Sequence, residues 1–347
     1  MNINLLNADE VTSLRHLIDN SKKAAILCHM NADGDALGSS LAWSAYLRQQ
    51  GLETAVIAPD MFPDFLQWLP GMQQQVMRYD KKTEEVRQWL KDSDLICYLD
   101  LNTTSRVGKE LQPDLSLCQG KVILIDHHEQ PDIKGDMTVS YPTMSSTSEM
   151  VFRLIWQLGG YDAMTKDMAV NIYCGMMTDT GAFTYNSTKP EIFLIIAYLL
   201  AKNIDKDKIY RNIYHVFSVD KLRLWGYVLN KSLKVKYPPH HASYFTLSKE
   251  DMKKYHFKKG DAEGLVNVPL KILGHKLSIS LREDTEKNNL VWVSTRSVDD
   301  FPCDEMAARF FNGGGHKNAA GGRLECSLKE AEEIVDKAIK AYADKLK

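Results

Sequence analysis

Short apolar segments alternate with amphipathic segments through the first half of the chain, and this alternation is the strongest constraint on its fold. The predicted strands are Lys23–Cys28, Glu53–Ala58, Gln75–Tyr79, Asp94–Leu99 and Lys121–Ile125. Helical patterns lie between them, for example over Gly38–Gln50 and Thr83–Lys91. Parallel strands have short continuous apolar runs because helices cover both faces of their sheet. The first half is therefore predicted to be a doubly wound, mostly parallel α/β sheet.

The second half is predicted to contain several helices, a helical linker and a smaller α/β domain. The predicted helices are Ser146–Leu158, Thr165–Met177, Lys189–Lys202, Ala262–Ile272, Asp304–Phe311 and Leu328–Asp344. The predicted strands are Ala242–Leu247, Lys276–Leu281 and Val291–Thr295. A length of 347 residues favours two domains. We therefore divide the chain into an N-terminal domain at 1–204, a linker at 205–232 and a C-terminal domain at 233–347.

Composition limits the classes of partner. The chain is 44% hydrophobic and 25% charged, which is typical of a globular protein, and its net charge is −2. This charge argues against long double-stranded nucleic acid, which needs many cations, and the sequence shows no basic stripe. The N-terminal segment lacks a signal-peptide pattern, no apolar run could span a bilayer, and the six scattered cysteines are interpreted as reduced thiols. A cytoplasmic location without a membrane partner is expected, and a homodimer is left open.

Acidic and histidine residues follow the predicted strands. They are His29, Asp33 and Asp35 after the first strand, Asp100 after the fourth, Asp126, His127 and His128 after the fifth, and Asp179 in the later segment "TDTG". In a doubly wound sheet, ligands bind beyond the carboxyl ends of the strands. So many carboxylates and imidazoles can share one edge only if cations balance their charge. The pattern predicts two divalent ions, Mn²⁺ or Mg²⁺, because carboxylate oxygens suit these ions better than structural zinc.

Each of these residues also has an ordinary structural explanation. An aspartate after a strand is often a turn residue or a helix cap, so Asp35 could be an N-cap and Asp179 a turn residue. The pair His127 and His128 could lie on the surface. The combination of all these residues at successive strand ends makes the metal site the stronger interpretation.

A glycine-rich segment near the C terminus is a second candidate site. "NGGGHKNAAGG" spans residues 312–322, and the backbone N–H groups of its glycines could bind an anion. Arg296, in the preceding strand, could bind a phosphate bidentately. Arg106, in "SRVG", is a weaker candidate for the same task. The candidate substrate-binding residues are Arg296, Gly313, Gly314, Gly315, His316 and Arg106.

The motifs "HMNADGDALGS", "YLDLNTTSRVG", "LIDHHEQ" and "MMTDTGAF" resemble, in this order, the four motifs of the DHH phosphoesterase superfamily. "FFNGGGHKNAAGG" resembles the glycine-rich signature of the DHH-associated C-terminal domain. The resemblance extends from about Lys23 to Gly322, and the layout is most similar to the nanoRNase/pAp phosphatase (NrnA) branch. One departure is Ala32, where many members have proline, and this is not a ligand position.

The resemblance implies a role for each candidate residue. His29 and Asp33 would hold one metal ion, and Asp100 would bridge both ions. The remaining ligands of the second ion would be Asp35, His127 and Asp179. Asp126 would orient the site, and His128 would lie next to the leaving group or the phosphate. The DHH-associated domain would hold the nucleotide.

The resemblance also implies an activity, that of a Mn²⁺-dependent hydrolase of phosphate esters. The expected substrates are 3′-phosphoadenosine 5′-phosphate (pAp), giving AMP, and RNA of a few nucleotides, giving mononucleotides. Two alternatives stay open: a phosphodiesterase for cyclic or linear dinucleotides, and a catalytically silent nucleotide-binding protein. The intact set of ligand residues favours an enzyme.

Overall fold

The structure, a computed structural model, describes residues 3–236, 241–258 and 260–347. The chain folds as two compact units that divide after Val216. Among the described residues, no helix combines the length and the apolar composition that crossing a bilayer requires.

The first unit contains one sheet and its covering helices. Its strands are β1 (Lys23–Leu27), β2 (Glu53–Ala58), β3 (Val76–Arg78), β4 (Leu95–Leu99), β5 (Lys121–Asp126) and β6 (Met137–Ser140). Its helices are α1 (Ala8–Asp19), α2 (Gly34–Gln49), α3 (Met72–Gln75), α4 (Thr83–Asp92), α5 (Gly108–Leu111), α6 (Thr147–Gln157), α7 (Lys166–Asp179), α8 (Pro190–Leu200) and α9 (Lys206–Tyr214). Short 3₁₀ segments lie at Asp64–Leu66, Thr104–Val107 and Gln112–Leu117.

The first sheet confirms the prediction of a doubly wound fold. Its strand order is β3-β2-β1-β4-β5-β6, and all the strands are parallel. Successive residues of one strand enter different cores: Ile26 packs with α2 and α7, whereas Leu27 packs with α4. Both faces of the sheet are therefore covered, as the continuous apolar runs require. The sequence prediction did not include β6.

The second unit contains a mixed sheet. Its strands are β7 (Lys234–Lys236), β8 (Ala242–Leu247), β9 (Leu277–Glu283), β10 (Val291–Ser297), β11 (Gly314–His316) and β12 (Ala319–Leu324). Its helices are α10 (Val219–Tyr227), α11 (Lys249–Lys254), α12 (Cys303–Phe310) and α13 (Leu328–Ala341). A π-helical segment lies at Val228–Ser232, and 3₁₀ segments lie at Leu265–Lys271 and Ala343–Leu346. The strand order is β11-β12-β10-β9-β8-β7, and only β8 and β9 pair in parallel.

The two faces of the second sheet differ. One face carries Tyr244, Ile279 and Val293, which pack with α12 and α13 in one apolar core. On the opposite face, Phe245 packs with α10 and with the 3₁₀ segment at Leu265–Lys271, at the β8 side. Towards β10 and β12 this second face is polar and partly exposed.

One predicted helix is wrong, and the region predicted as a linker is interrupted. The segment predicted as a helix at Ala262–Ile272 is a shorter 3₁₀ helix, because Pro269 lacks an N–H donor and Gly264, at φ 82°, precedes the segment. The predicted linker at 205–232 is not one continuous helical segment. It breaks between Tyr214 and Val219, where α9 ends in the first unit and α10 begins in the second.

Candidate metal centre

The candidate centre lies where the strand order of the first sheet reverses. β1 and β4 are neighbours in the sheet although they are distant in sequence, and their connections leave in opposite directions. Such a switch point opens a crevice at the carboxyl ends of the strands. His29 follows β1 and Asp100 follows β4, so both lie at this crevice. Asp100 has φ 60°, a left-handed conformation that is uncommon outside glycine and frequent at functional sites.

The first group of candidate ligands is His29, Asp33 and Asp100. The His29 Nε2 atom lies 3.4 Å from Oδ2 of Asp100 and 4.0 Å from Oδ1 of Asp33. Asp33 is the N-cap of α2, since its Oδ1 accepts from the N–H groups of Asp35 and Ala36, each at 3.0 Å. The cap is thus Asp33 and not Asp35. Capping by Oδ1 fixes the Asp33 carboxylate beside His29.

The second group is Asp35, His127 and Asp179. The His127 Nε2 atom lies 3.4 Å from Oδ2 of Asp179 and 3.6 Å from Oδ1 of Asp100. Within each group, one nitrogen or oxygen atom per residue lies within 4.8 Å of the others, and Asp100 also groups with His127 and His128. Asp100 therefore contacts the histidines of both groups, one with each carboxylate oxygen.

Backbone carbonyls orient the two candidate histidine ligands. Nδ1 of His29 lies 2.8 Å from the Met30 carbonyl, and Nδ1 of His127 lies 3.3 Å from the Met144 carbonyl. Both contacts leave Nε2 directed at the carboxylates, which is the common arrangement for metal-binding histidines.

His128 is held differently. Its Nδ1 lies 2.8 Å from Oδ1 of Asp126, and its backbone N–H donates to the other oxygen of Asp126 at 2.9 Å. Burial alone would lower the pKa of His128, but the hydrogen bond to Asp126 and the charge of Asp100 raise it above its ordinary value. Asp126 is fully buried. The pair therefore favours a protonated imidazole whose Nε2 is not used by Asp126.

Residues at the start of α6 complete the centre, and the sequence analysis did not identify them. The backbone N–H groups of Thr147 and Ser148 donate to the two carboxylate oxygens of Asp35, at 2.7 and 2.9 Å. The Thr147 hydroxyl donates to Oδ1 of Asp100 at 3.0 Å. The segment "SSTSEM" contains a detectable signal, because Ser146 followed by Glu149 is a helix N-terminus pattern and helix N-termini bind anionic groups.

Burial and mutual repulsion disfavour ionisation of two of the carboxylates. Burial, with the charges of Asp100 and Asp179, raises the pKa of Asp35 well above its ordinary value. Burial also raises the pKa of Asp179 to about 7, although the charge of His127 opposes the rise. Burial opposes ionisation of Asp100 too, but the hydrogen bond and charge of His29 lower its pKa to about 2. A donor set of carboxylate oxygens with a minority of imidazoles, under this repulsion, fits divalent Mn²⁺ or Mg²⁺.

Close packing of α2, α6 and α7 fixes the spacing between Asp35 and Asp179. A Cβ on Gly38 would lie 2.5 Å from the Asn171 carbonyl oxygen. A Cβ on Gly175 would overlap the Ser148 hydroxyl and lie 2.8 Å from Oδ1 of Asp35. Glycine is therefore required at both positions for the helices to approach.

Gly175→Ala is expected to destabilise the first unit by about 1–3 kcal/mol and to weaken divalent metal binding, because overpacking would push α7 away from Ser148 and Asp35. Chemical denaturation and metal titration would measure the two effects. Gly226→Ala is the matched control, since this helical glycine in α10 has no neighbouring atom within 4 Å of an added Cβ. The control should raise stability by up to about 1 kcal/mol. A Gly175→Ala protein as stable and as metal-binding as the wild type would contradict this account of the packing.

Arg106 lies in the first unit, near His128. It lies in the turn after β4, and its carbonyl accepts from the Met30 N–H at 2.8 Å. Its charge is close enough to oppose protonation of His128. The Nη1 atom is buried and has no hydrogen-bond partner among the described residues, so it could donate to a ligand.

The remaining candidate residues come together on the second sheet. Arg296 on β10 pairs in register with Ala319 on β12, which pairs in turn with His316 on β11. Residues opposite each other on neighbouring strands point to the same face, so Arg296 and His316 share a face across a small alanine. The Arg296 Nη1 atom donates to its neighbour's carbonyl, that of Thr295, at 2.9 Å.

The glycine-rich segment is a β-hairpin formed by β11 and β12. Gly314, Gly315 and His316 are exposed and form the edge strand β11. A Cβ on Gly313 would overlap the Gly321 carbonyl oxygen, so the glycines allow two backbones to approach. Within the described part of the chain no strand pairs with the outer edge of β11, and its outward N–H groups can reach an anion.

The chain is similar to several known proteins. A sequence model of the DHH family, N-terminal domain, matches residues 23–176, and a DHHA1 domain model matches residues 243–345. A crystal structure of an exopolyphosphatase-related protein from Bacteroides fragilis is 42% identical, with a TM-score of 0.93 and 98% of each chain covered. The bifunctional oligoribonuclease and PAP phosphatase NrnA of Thermus thermophilus is 28% identical over 91% of this chain and 88% of its own. The protein of the same name from Bacillus subtilis is 24% identical over 88% of this chain and 90% of its own.

Proposed function

This chain belongs to the DHH family of phosphoesterases, and we propose that it hydrolyses pAp to AMP and RNA of a few nucleotides to mononucleotides by a two-metal mechanism. The names of the relatives from Thermus thermophilus and Bacillus subtilis support these two substrates. The observation that carries the proposal is Asp100, whose two carboxylate oxygens face different histidines, His29 and His127. A carboxylate in that position can bridge two ions.

The proposed ligands follow the two groups described above. His29, Asp33 and Asp100 would hold one ion, and Asp35, His127 and Asp179 would hold the other with Asp100. Thr147 and Ser148 would keep Asp35 in position through their backbone N–H groups. When bound, divalent ions lower the pKa of water and neutralise the charge of phosphate oxygens. Mn²⁺ is proposed ahead of Mg²⁺.

His128 and Asp126 are proposed as the catalytic pair. The bond between His128 Nδ1 and Asp126 holds the imidazole in one orientation and leaves Nε2 available to the substrate. Because the pKa of His128 is raised, this nitrogen can carry a proton and give it to the leaving oxygen of the ester. Arg106 would contact the same phosphate through its unpartnered Nη1.

The second unit would hold the part of the nucleotide that is not hydrolysed. Arg296 would bind a phosphate, and the exposed strand with Gly313, Gly314, Gly315 and His316 would contact it through backbone N–H groups and the imidazole. Arg296 makes no ion pair among the described residues, so its remaining donors can serve a ligand. One such phosphate site suits a short substrate better than a long strand, which gains affinity from a groove along many phosphates.

A substrate panel tests the proposal. We expect pAp and RNA of about two to five nucleotides to be hydrolysed at least tenfold faster than an oligomer of roughly two dozen, with pyrophosphate and cyclic dinucleotides poor. Activity should require Mn²⁺ or Mg²⁺ and disappear with a chelator. Preferred hydrolysis of a cyclic dinucleotide would favour that alternative, and binding of pAp without turnover under Mn²⁺ would favour a silent nucleotide-binding protein.

Arg296→Ala is expected to lower kcat/KM for pAp by roughly tenfold while the bound metal is unchanged, because a lost charge-assisted hydrogen bond is worth about 1.5–3 kcal/mol. Steady-state kinetics and metal analysis would measure both. Arg309→Ala is a suitable control, since Arg309 lies in α12 with its guanidinium 5.2 Å from the Phe310 ring centroid. Unchanged kinetics for Arg296→Ala would remove the arginine from the proposed site.

A further inference from the structure

The second sheet carries an exposed tryptophan between two arginines. Trp292 on β10 is in register with Arg323 on β12 and with Arg282 on β9. Directly opposed residues of neighbouring strands point to the same face of a sheet. The side chain of Trp292 is thus flanked by an arginine on each side, and the residue is 39% exposed.

A hydrogen bond at one edge of the Trp292 indole ring holds the ring in place. Its Nε1 atom donates to Oδ2 of Asp284 at 2.8 Å. That carboxylate also accepts from the backbone N–H groups of Glu286 and Lys287, at 3.0 and 2.7 Å, so its charge is shared among three donors. Among the described residues, no aromatic ring or cation lies over the indole at stacking distance. A tryptophan fixed in this way keeps a face open for another planar group.

The hydrogen-bond donors of both guanidinium groups are unused within the described part of the chain. In the part of the chain that the structure describes, neither the Arg282 nor the Arg323 guanidinium makes a hydrogen bond or an ion pair. Arg282 is half-buried, with its guanidinium carbon 5.7 Å from the centroid of the Phe257 ring, and Arg323 is exposed. The nearby acid, Asp284, is already bonded to three N–H groups. Both guanidinium groups can therefore bind a phosphodiester.

This row of side chains lies on the same face as Arg296. Residues 292, 294 and 296 of β10 alternate with the buried residues 291, 293, 295 and 297. Trp292 and Arg296 are four residues apart, a distance of about 13 Å along a strand. Between them lie Ser294 and, on β12, Gly321, both small and partly exposed. The strand register thus places two rows of side chains on one face of the sheet. One row contains Arg296 and His316, and the other contains Trp292 with its two arginines.

We propose that Trp292, Arg282 and Arg323 form a second nucleotide subsite, in which the indole stacks on a base and the arginines bind the adjoining phosphodiester. The proposal rests on the proposed function, which assigns the first subsite to Arg296. Stacking tolerates any base, because every base has a π face. The ligand class is single-stranded RNA of at least two nucleotides. A mononucleotide held at Arg296 has no second base, so pAp does not use this subsite.

Binding measurements with the full chain test the subsite separately from hydrolysis. Calorimetric titration of a trinucleotide and of pAp, with chelator present to prevent cleavage, gives the two affinities. Trp292→Ala is expected to weaken trinucleotide binding about tenfold and to leave pAp binding and pAp turnover unchanged. Trp292→Phe, which keeps an aromatic ring, should restore most of the affinity. Phe193→Ala, which removes an aromatic residue that is 53% exposed in α8, is the matched control and should change neither affinity.

The salt dependence of trinucleotide binding tests the two arginines separately from Trp292. Affinity for a single strand falls as salt concentration rises. On a plot of log affinity against log salt, the slope steepens by about 0.7 for each phosphate that the protein neutralises. Because both arginines are proposed to bind one phosphodiester, the double variant Arg282→Gln and Arg323→Gln should flatten the slope for the trinucleotide by about 0.7 and leave the slope for pAp unchanged. Equal loss of pAp and trinucleotide affinity in Trp292→Ala, or an unchanged trinucleotide affinity, would overturn the proposal. Both of these results are affinities and do not depend on hydrolysis. Hydrolysis of the substrate panel tests the proposed function separately.

Discussion

Asp100→Asn is expected to lower kcat/KM by more than roughly 100-fold and to reduce the divalent metal bound per chain. Even residues that only orient a metal ligand are worth about 10–100-fold, and Asp100 is proposed to contact both ions. Asparagine has the same shape, tolerates the left-handed conformation at φ 60°, and can still accept the Thr147 hydroxyl bond. The fold should therefore survive, and the loss should come from the missing charge. Steady-state kinetics and metal analysis after gel filtration would measure it.

Asp92→Asn is the control for the same change of charge. The Asp92 side chain is 44% exposed and pairs with Lys23 on the surface, at 3.3 Å. It should leave both activity and metal content near the wild-type values, as exposed ion pairs contribute little. An Asp100→Asn enzyme that keeps its metal and its rate would contradict the bridging role.

The adjacent histidines are expected to fail in different ways when they are replaced by alanine. His127→Ala should lose metal, because the Nε2 atom of His127 faces Asp100 and Asp179. His128→Ala should keep the metal and lose roughly 10²–10⁴-fold in kcat, the range of general acid–base catalysis. Nδ1 of His128 also lies 3.7 Å from Oδ1 of Asp100, so loss of His128 could disturb the proposed bridging residue. Metal analysis of the two variants would separate the roles, and equal metal loss would show that the division is wrong.

Asp126→Asn provides an independent comparison. If Asp126 acts only through His128, its replacement should lower kcat by about 10–100-fold in the wild type and by little in His128→Ala. Additive losses in the double variant would mean that Asp126 acts on something else in the centre.

The sheet of the first unit was predictable because its strands are buried on both faces. Leu95–Leu99 is buried at every position, and the short length of such a run favours a strand over a helix. Met137–Ser140 was missed because it lacks such a continuous buried run. It is the edge strand β6, where buried and exposed residues alternate over only four positions, and its signal is weak.

The acidic and histidine residues of the candidate centre were predictable, but the groups that hydrogen-bond to them were not. Parallel strands end at one edge, so the position of Asp100 and His127 after their strands determined that they would meet. Thr147 was missed because its contribution to Asp35 is a backbone N–H group, which every residue other than proline has. The row of Arg282, Trp292 and Arg323 was missed because three separate strands contribute to it. Only the register of β9, β10 and β12 brings these side chains together, and this explains why no basic stripe is visible in the sequence.

The first unit is one continuous segment of the chain, so it can fold before the second unit has been synthesised. Every residue of the candidate metal centre lies between His29 and Asp179, inside a unit that is complete at Val216. Domains fold as units during synthesis, the N-terminal one first, and chains grow at about 5–20 residues per second. On the ribosome, the first unit can thus assemble on the order of 10 s before the last residue of the second unit is added. The nascent chain would gain its proposed metal centre first and its proposed nucleotide sites afterwards.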